Sequence, residues 1–267
     1  MSFTPATVVE TFAPNPRLRR VRLRVDTPES LAVAPGADCA VGVYFDAASP
    51  NNGRTYSVRR HAGDLIDLDI LVHPGGPGSV WAQTVSAGDR VGLDHARAWY
   101  RPPASTTFQL LVADLAGLPA LARIMAESAP AVSTTVVVEA LDHHDLDYLP
   151  TRPEVTLIPS LDSGNGVAAS RLAQLVRDLE LPADGYCWFG GEAGASREVR
   201  KHLRRSGWTI DQYDVMGYWR QDSAAWDARF ALLGPDFLAM YQQAIADGKS
   251  DKAAAEEFDD ALERAGL

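Results

Sequence analysis

The 267-residue chain is poor in cysteine, with two, and in methionine, with four. Two thiols cannot supply a disulfide framework or a four-cysteine zinc site. Cys39 and Cys187, far apart in apolar surroundings, are expected to be reduced core thiols. No apolar run approaches the ~18–20 residues that span a bilayer. The start, "MSFTPATVVETF", lacks the basic-then-apolar order of a secretory signal. A cytoplasmic protein without a membrane partner is the expectation. No G-x-S-x-G elbow is present for a serine hydrolase, and no G-x-G-x-x-G dinucleotide fingerprint. Positive charge is also short: 25 basic against 35 acidic side chains give −10, which argues against nucleic acid as a partner.

What is present is the composition of a folded protein, 46% hydrophobic and 22% charged, long enough for one large or two ordinary domains. Charge is unevenly spread. Residues 221–267 hold ten acidic and four basic side chains, so the remaining 220 carry only −4 of the total. Arginine gathers in "RLRRVRLRV" (17–25). On a strand, Val21, Leu23 and Val25 point one way and Arg20, Arg22 and Arg24 the other, which predicts a core face and a solvated basic face.

Residues 1–103 read as β-rich. "RVRLRV", "CAVGVYF", "RTYSVR", "DLDILVH" and "DRVGLD" are short strand-like runs separated by turn-rich pieces, a pattern for a small antiparallel barrel or sandwich. Within it, "GGPGSVWAQTV" (75–85) reads as a glycine-rich turn entering a short helix, and "RPPAST" (101–106) as a boundary. Over 104–220 strands alternate with helices. The strands are "FQLLVAD", "TTVVVEA", "EVTLIP", "YCWFGG" and "WTIDQYDVMGYW"; the helices are "AGLPALARIMAES", "VAASRLAQLVRDL" and "GASREVRKHLRRS". This predicts a parallel sheet with helices on its faces. The acidic extension 221–267 is expected to form two amphipathic helices broken near Gly248, with Phe258 and Leu262 as a packing stripe.

A barrel followed by an α/β domain is a recurring arrangement of flavin reductases, and "GRTYSVRR" (53–60) suits a flavin. Tyr56 can stack on a flat ring, Ser57 can hydrogen-bond its N5, and the planar fork of Arg54 can hold a diphosphate. "GGPGSVW" places glycines at a helix start, where unpaired N–H groups and the helix dipole favour an anion. "GGEAGAS" (190–196) ends a strand and opens a helix, the usual ligand position in an open parallel sheet, and would aim Glu192 at the flavin or its reductant. "GYWR" can return Tyr218, Trp219 and Arg220 to the cleft. "DHHDLD" (142–147) offers metal-binding side chains, but adjacent residues rarely converge on one ion, so it is read as a loop without metal.

Several longer stretches resemble the siderophore-interacting protein family, FAD-dependent ferric-siderophore reductases related to ferredoxin reductases. They are "RTYSVR" (54–59), "DLDILVHPGGPGSVWA" (67–82), "GDRVGL" (88–93), "LLVADLAGLPALARIM" (110–125), "YCWFGGEAGASREVRKHL" (186–203) and "GYWR" (217–220). The resemblance implies an FAD-binding Greek-key barrel over 1–103, a ferredoxin-reductase-like α/β domain over 104–220 and a helical extension over 221–267. It implies FAD held by Arg54, Tyr56, Ser57, Val72, His73, Gly76, Pro77, Gly78, Ser79 and Trp81, with Val72 and His73 on a strand bordering the ring. Ser57 stands where the family usually has threonine, "DLAGLP" (114–119) where it often reads Asp-Glu-Thr-Ala-Leu-Pro, and Val80 where arginine is common.

Reduction of Fe(III) weakens its hold on hard oxygen donors, so the implied activity is release of iron from a ferric siderophore. Electrons would pass from NADH, NADPH or reduced ferredoxin through FAD. Such a protein needs no metal ligands of its own but needs cations for an anionic complex; Arg59, Arg60, Arg97, Arg101 and Arg220 are the candidates. The alternatives are a general flavin reductase with a protein acceptor and a ferric-siderophore carrier without redox chemistry. A monomer or weak dimer is expected.

Overall fold

The computed structural model describes residues 3–33, 36–45 and 53–267. Six strands close an antiparallel barrel: β1 (Thr4–Asn15), β2 (Leu18–Val25), β3 (Ala40–Tyr44), β4 (Gly53–Ala62), β5 (Leu65–Leu71) and β6 (Arg90–Arg97). Their order is β1-β2-β5-β4-β3-β6, with β6 pairing back onto β1. This is a Greek-key order, since β6 returns beside β3 after the β3-β4-β5 run; helices α1 (Pro28–Leu31) and α2 (Pro77–Thr84) lie in the connections β2–β3 and β5–β6. β1 was not anticipated as a strand; its Ala6 and Val8 are buried in the barrel core.

β2 shows how the sequence sets the barrel. Val21, Leu23 and Val25 are buried, each burial stabilising by roughly 1.5–3 kcal/mol relative to exposure. The alternate arginines do not form a solvated basic face. Arg20 and Arg22 stand opposite Asp69 and Asp67 of β5 and form two-pronged ion pairs with them at 2.6–3.0 Å. Arg24 pairs with Asp64 at 3.4 Å. Adjacent antiparallel strands place opposite charges face to face, so both rows remain ordered.

The second half is a parallel sheet, β11-β10-β7-β8-β9. Its strands are β7 (Phe108–Ala113), β8 (Ser133–Ala140), β9 (Val155–Leu161), β10 (Tyr186–Glu192) and β11 (Tyr213–Trp219). Helices α3 (Leu118–Glu127), α4 (His143–Leu146), α5 (Leu172–Arg177) and α6 (Ala193–Arg205) lie between them. β7, β8 and β10 are buried through their centres, which is why they read as continuous apolar runs. The helix expected over 167–179 is only six residues long. The preceding loop contains left-handed Asp162, Gly164, Asn165 and Gly166, and the Glu139 carboxylate ties it to the sheet by accepting from Ser170 and the Arg171 N–H.

The last two helices are α7 (Ser223–Ala246) and α8 (Asp251–Arg264), separated at left-handed Gly248. Phe258 meets the rings of Phe230, Phe237 and Tyr241. α8 is fastened to α6 by charge. Asp259 accepts from Arg197 at 2.7 and 2.9 Å and from Arg200 at 2.5 Å, Asp260 accepts from Arg200 and Arg204, and Glu263 accepts from Lys201.

Polar contacts also close the seam between barrel and sheet. Arg17 donates to Asp142 at 2.7 Å and Asp145 at 2.9 Å; the Tyr148 hydroxyl donates to Asp69. "DHHDLD" therefore is not a loop. It starts α4 with a capping box, and two of its carboxylates are taken by a barrel arginine. Among the described residues, no His, Cys, Asp and Glu group could hold a metal, and no helix is long and apolar enough to cross a membrane. Cys39 and Cys187 are buried and form no disulfide.

Candidate flavin site

β4 is central to the candidate site. Its residues alternate poorly: only the neighbours Ser57 and Val58 are buried, and residues towards both ends of the strand are exposed. Val58 lies in the barrel core, and Ser57 is only 7% exposed. A register shift between Val58 and Arg60 makes Arg59 an extra residue opposite β5, and Arg123 of α3 donates to the Val58 carbonyl at 2.9 Å. Tyr56 is half-buried, and burial pushes its phenol up to about 12, so it is a neutral ring. Arg54 is exposed, its guanidinium resting on the Gly53 carbonyl at 2.7 Å.

The turn after β5 supplies the anion-facing side. The strand ends at Leu71, so Val72 and His73 open the turn rather than continuing the strand. Gly75 and Gly76 have φ of 79° and 83°, a region that favours glycine. Pro77 then begins α2, whose first N–H groups receive no side-chain cap and whose first turn has no acidic residue. An open cleft of ≈ 430 Å³ lies here, with Val72, His73, Gly75, Val80 and Gln83 among its walls. The helix start sits directly against the ring on β4: a Cβ added at Gly78 would lie 1.8 Å from the Tyr56 hydroxyl oxygen.

Two residues expected at the phosphates are engaged elsewhere. The Ser79 hydroxyl accepts from the His73 N–H at 3.1 Å and donates to the Leu71 carbonyl at 3.3 Å, so it fixes the turn. Trp81 stacks on Phe45 at 4.8 Å and packs against the barrel core. His73 is exposed, its Nδ1 3.2 Å from the Pro74 carbonyl oxygen.

At the carboxyl ends of the sheet strands, Asp114 is fully enclosed. It accepts from Trp219 Nε1 at 2.6 Å, from the Glu192 and Ala116 N–H groups at 2.9 Å and from Gly117 at 3.4 Å. Desolvation still dominates and raises its carboxyl to about 6. Glu192 caps α6 by accepting from the Ala195 N–H at 3.0 Å. The α6 start at this crevice is thus met by the protein's own carboxylate, whereas Asp114 holds the turn before α3, whose start has no side-chain cap. Asp114 was missed by sequence reasoning; its position just before "LAGLP", at a strand end, was the available signal.

The five candidate cations do not gather at one place. Arg59 lies over the Tyr148 ring at 5.8 Å, and Arg60 lines a small cavity with Arg22 and Asp67. Arg220 covers the Trp226 ring at 4.8 Å and feels the charges of Arg197, Glu192 and Asp259. Arg97 and Arg101 are exposed near the end of β6; Arg101 donates to the Ala98 carbonyl at 3.2 Å. Tyr218 reaches the barrel: its hydroxyl is shut off from solvent and faces Ser57 without closing a hydrogen bond.

A closed barrel bearing an uncapped helix start, followed by a parallel sheet, is the ferredoxin-reductase-like fold. A ferredoxin NADP+ reductase from Neisseria gonorrhoeae shares it, with a TM-score of 0.66 at 15% identity over 82% of this chain and all of that one. Residues 43–98 match the siderophore-interacting FAD-binding domain and residues 106–222 the siderophore-interacting protein profile, together more than half the chain. The chain belongs to the siderophore-interacting protein family.

The siderophore-interacting protein from Acinetobacter baumannii covers 90% of this chain and all of its own, with a TM-score of 0.75 at 21% identity. The NADPH-dependent ferric-chelate reductase of Escherichia coli is 26% identical over 168 residues, which span 61% of this chain and 63% of that reductase.

The residues present fit FAD. Glycine at 78 leaves room for the Tyr56 phenol, and the uncapped α2 start offers N–H groups to a diphosphate.

Proposed function

We propose that the protein is a flavin-dependent reductase of ferric siderophores, releasing iron by reducing Fe(III) to Fe(II). The observation that carries this reading is the junction of Tyr56 with Gly78. It puts the hydroxyl end of a neutral phenol on β4 against the uncapped start of α2, beside an open cleft. FAD bound there would supply an acceptor of two electrons that can pass them on singly. Tyr56 would lie against its ring and Ser57 near its N5, while Arg54 and the α2 N–H groups would hold the diphosphate.

The similarity to an NADPH-dependent ferric-chelate reductase favours NADPH as the electron source. Arg97 and Arg101, the exposed pair near the end of β6, are the cations we assign to attracting an anionic ferric complex. In this reading the iron is cargo that arrives and leaves with its siderophore.

The test begins with protein reconstituted with FAD. Its visible spectrum should bleach under anaerobic NADPH and recover on adding a ferric siderophore, with Fe(II) captured by a ferrous chelator. NADH and reduced ferredoxin are the comparison donors. Colourless protein after incubation with excess FAD, or reduced flavin that no ferric chelate reoxidises, overturns the proposal.

A further inference from the structure

α7 packs along one side only. Phe230, Phe237 and Tyr241 meet Phe258 of α8, and Trp226 stacks on Phe230 at 4.7 Å. Gly234 and Ala244, on that same side, are the buried residues of the helix. The opposite side has no compensating polar face. Leu232 is 82% exposed, and Leu233 and Met240 beside it are 40% and 50% exposed. Ala225, Ala228 and Ala239 continue the stripe and are exposed too. Of the 24 residues, only Asp227, Arg229 and Asp236 are charged. A surface helix sets charged residues on its outer side, and a helix apolar all round is normally covered on every side. An exposed, contiguous apolar patch of this kind marks a contact surface.

We propose that this face of α7 is covered by α7 of a second copy of the chain, running antiparallel. The charges select that occupant. Arg229 and Asp236 stand two turns apart on one flank of the face, with Leu232 and Leu233 between them. Their midpoint falls between the two leucines. A two-fold axis at that point sets each Arg229 opposite Asp236 of the partner subunit, twice over, while Leu232 packs at the centre. A parallel pair would instead oppose arginine to arginine and aspartate to aspartate. Asp236 has no ion-pair partner among the described residues, and Arg229 is steadied by donating to the Ala265 carbonyl at 3.1 Å.

An anionic lipid surface suits the face poorly. Helices that lie on such surfaces are rich in Lys and Arg, whereas α7 has one cation and residues 221–267 carry a net −6. One helix pair falls short of the ~1,600 Å² of a standard interface, so the dimer should be reversible, with a dissociation constant of roughly 1–100 μM.

Sedimentation equilibrium of the full chain over a concentration series tests this. Wild type should pass from monomer towards dimer. Leu232→Glu should weaken association at least about tenfold, and so should Arg229→Asp and Asp236→Arg singly. The two charge exchanges together should restore it to within about threefold of wild type. An Arg229→Asp chain that merely loosened α8 would gain nothing from the change at Asp236. Register is read by an introduced thiol, since both native cysteines are buried. Under mild oxidation Leu232→Cys should join two chains, whereas Ala246→Cys, about 20 Å further along the helix, should not. A monomer at every concentration up to about 1 mM, association that survives Leu232→Glu, or charge exchanges without mutual rescue overturns the proposal. A chain that stays monomeric but binds phosphatidylcholine vesicles through Leu232 overturns it in favour of lipid. None of these outcomes touches the flavin reading.

Discussion

Asp114 Oδ2 and Trp219 Nε1 lie 2.6 Å apart and join the first turn of the parallel sheet to the end of its last strand. The same oxygen accepts from the Glu192 N–H, so β7, β10 and β11 meet on one carboxylate.

That carboxylate has a pH signature. Its folded value is raised to about 6 by burial, above that of an exposed aspartate. The folded state therefore holds the proton more tightly, and its contribution to stability, full at low pH, is lost as pH rises towards 6. Asp114→Asn does not titrate. The stability gap between wild type and variant should move in the variant's favour by about 2 kcal/mol between pH 4 and 7. Urea unfolding at the two pH values measures it; a pH-independent gap contradicts the assignment.

Asp259 makes the opposite prediction. Arg197 and Arg200 hold its carboxyl below the usual range although burial pushes the other way. The contribution is present above about pH 4, where the unfolded group is ionised, and disappears as pH falls through the depressed folded value. At neutral pH, Asp259→Ala leaves two nearly buried guanidinium groups without their main partner and should weaken the docking of α8 by roughly 3–5 kcal/mol. Faster proteolysis within 223–267, with cleavage of the barrel unchanged, is the expected result.

Gly78→Ala should damage the candidate flavin site without unfolding the barrel. The added methyl collides with the Tyr56 hydroxyl, so the phenol must swing away from α2. FAD affinity should fall at least tenfold, about 1.4 kcal/mol, by titration of flavin fluorescence. Retained affinity would separate the Tyr56–Gly78 junction from cofactor binding.

Arg17→Ala tests the seam. Asp142 is held down to about 2, first by its Arg17 hydrogen bond, and the Asp145 side chain is wholly buried. The variant should raise amide exchange around residues 141–148 while costing only about 1–2 kcal/mol in global stability. A drop confined to the barrel strands would argue that Arg17 serves β2 alone.

Much of this architecture was legible in the residues. Period-two alternation disclosed β2, and continuous apolar runs disclosed β7, β8 and β10, because burial leaves those patterns whatever the partner. β1 was missed because "TPATVVETFAPN" contains prolines near both ends and has an outer half that is largely exposed. The arginines of β2 were read as solvated because their partners, Asp67 and Asp69, lie more than forty residues away and meet them only when β5 pairs. Candidate site residues clustered in sequence came out close in space, as at 54–57 and 75–79. The scattered arginines did not converge, since a charge alone says nothing about direction. Asp114 acts through strand ends brought together by sheet order, which no local spacing encodes.

The seam between the two halves relies partly on directional groups: Arg17 with two carboxylates, Tyr148 with Asp69, Arg123 with a strand carbonyl. Oily faces can slide past one another at little cost, whereas such bonds are satisfied in only one alignment. After any transient parting, the halves should click back into the same alignment, which, on the proposed function, would keep the electron path at one length.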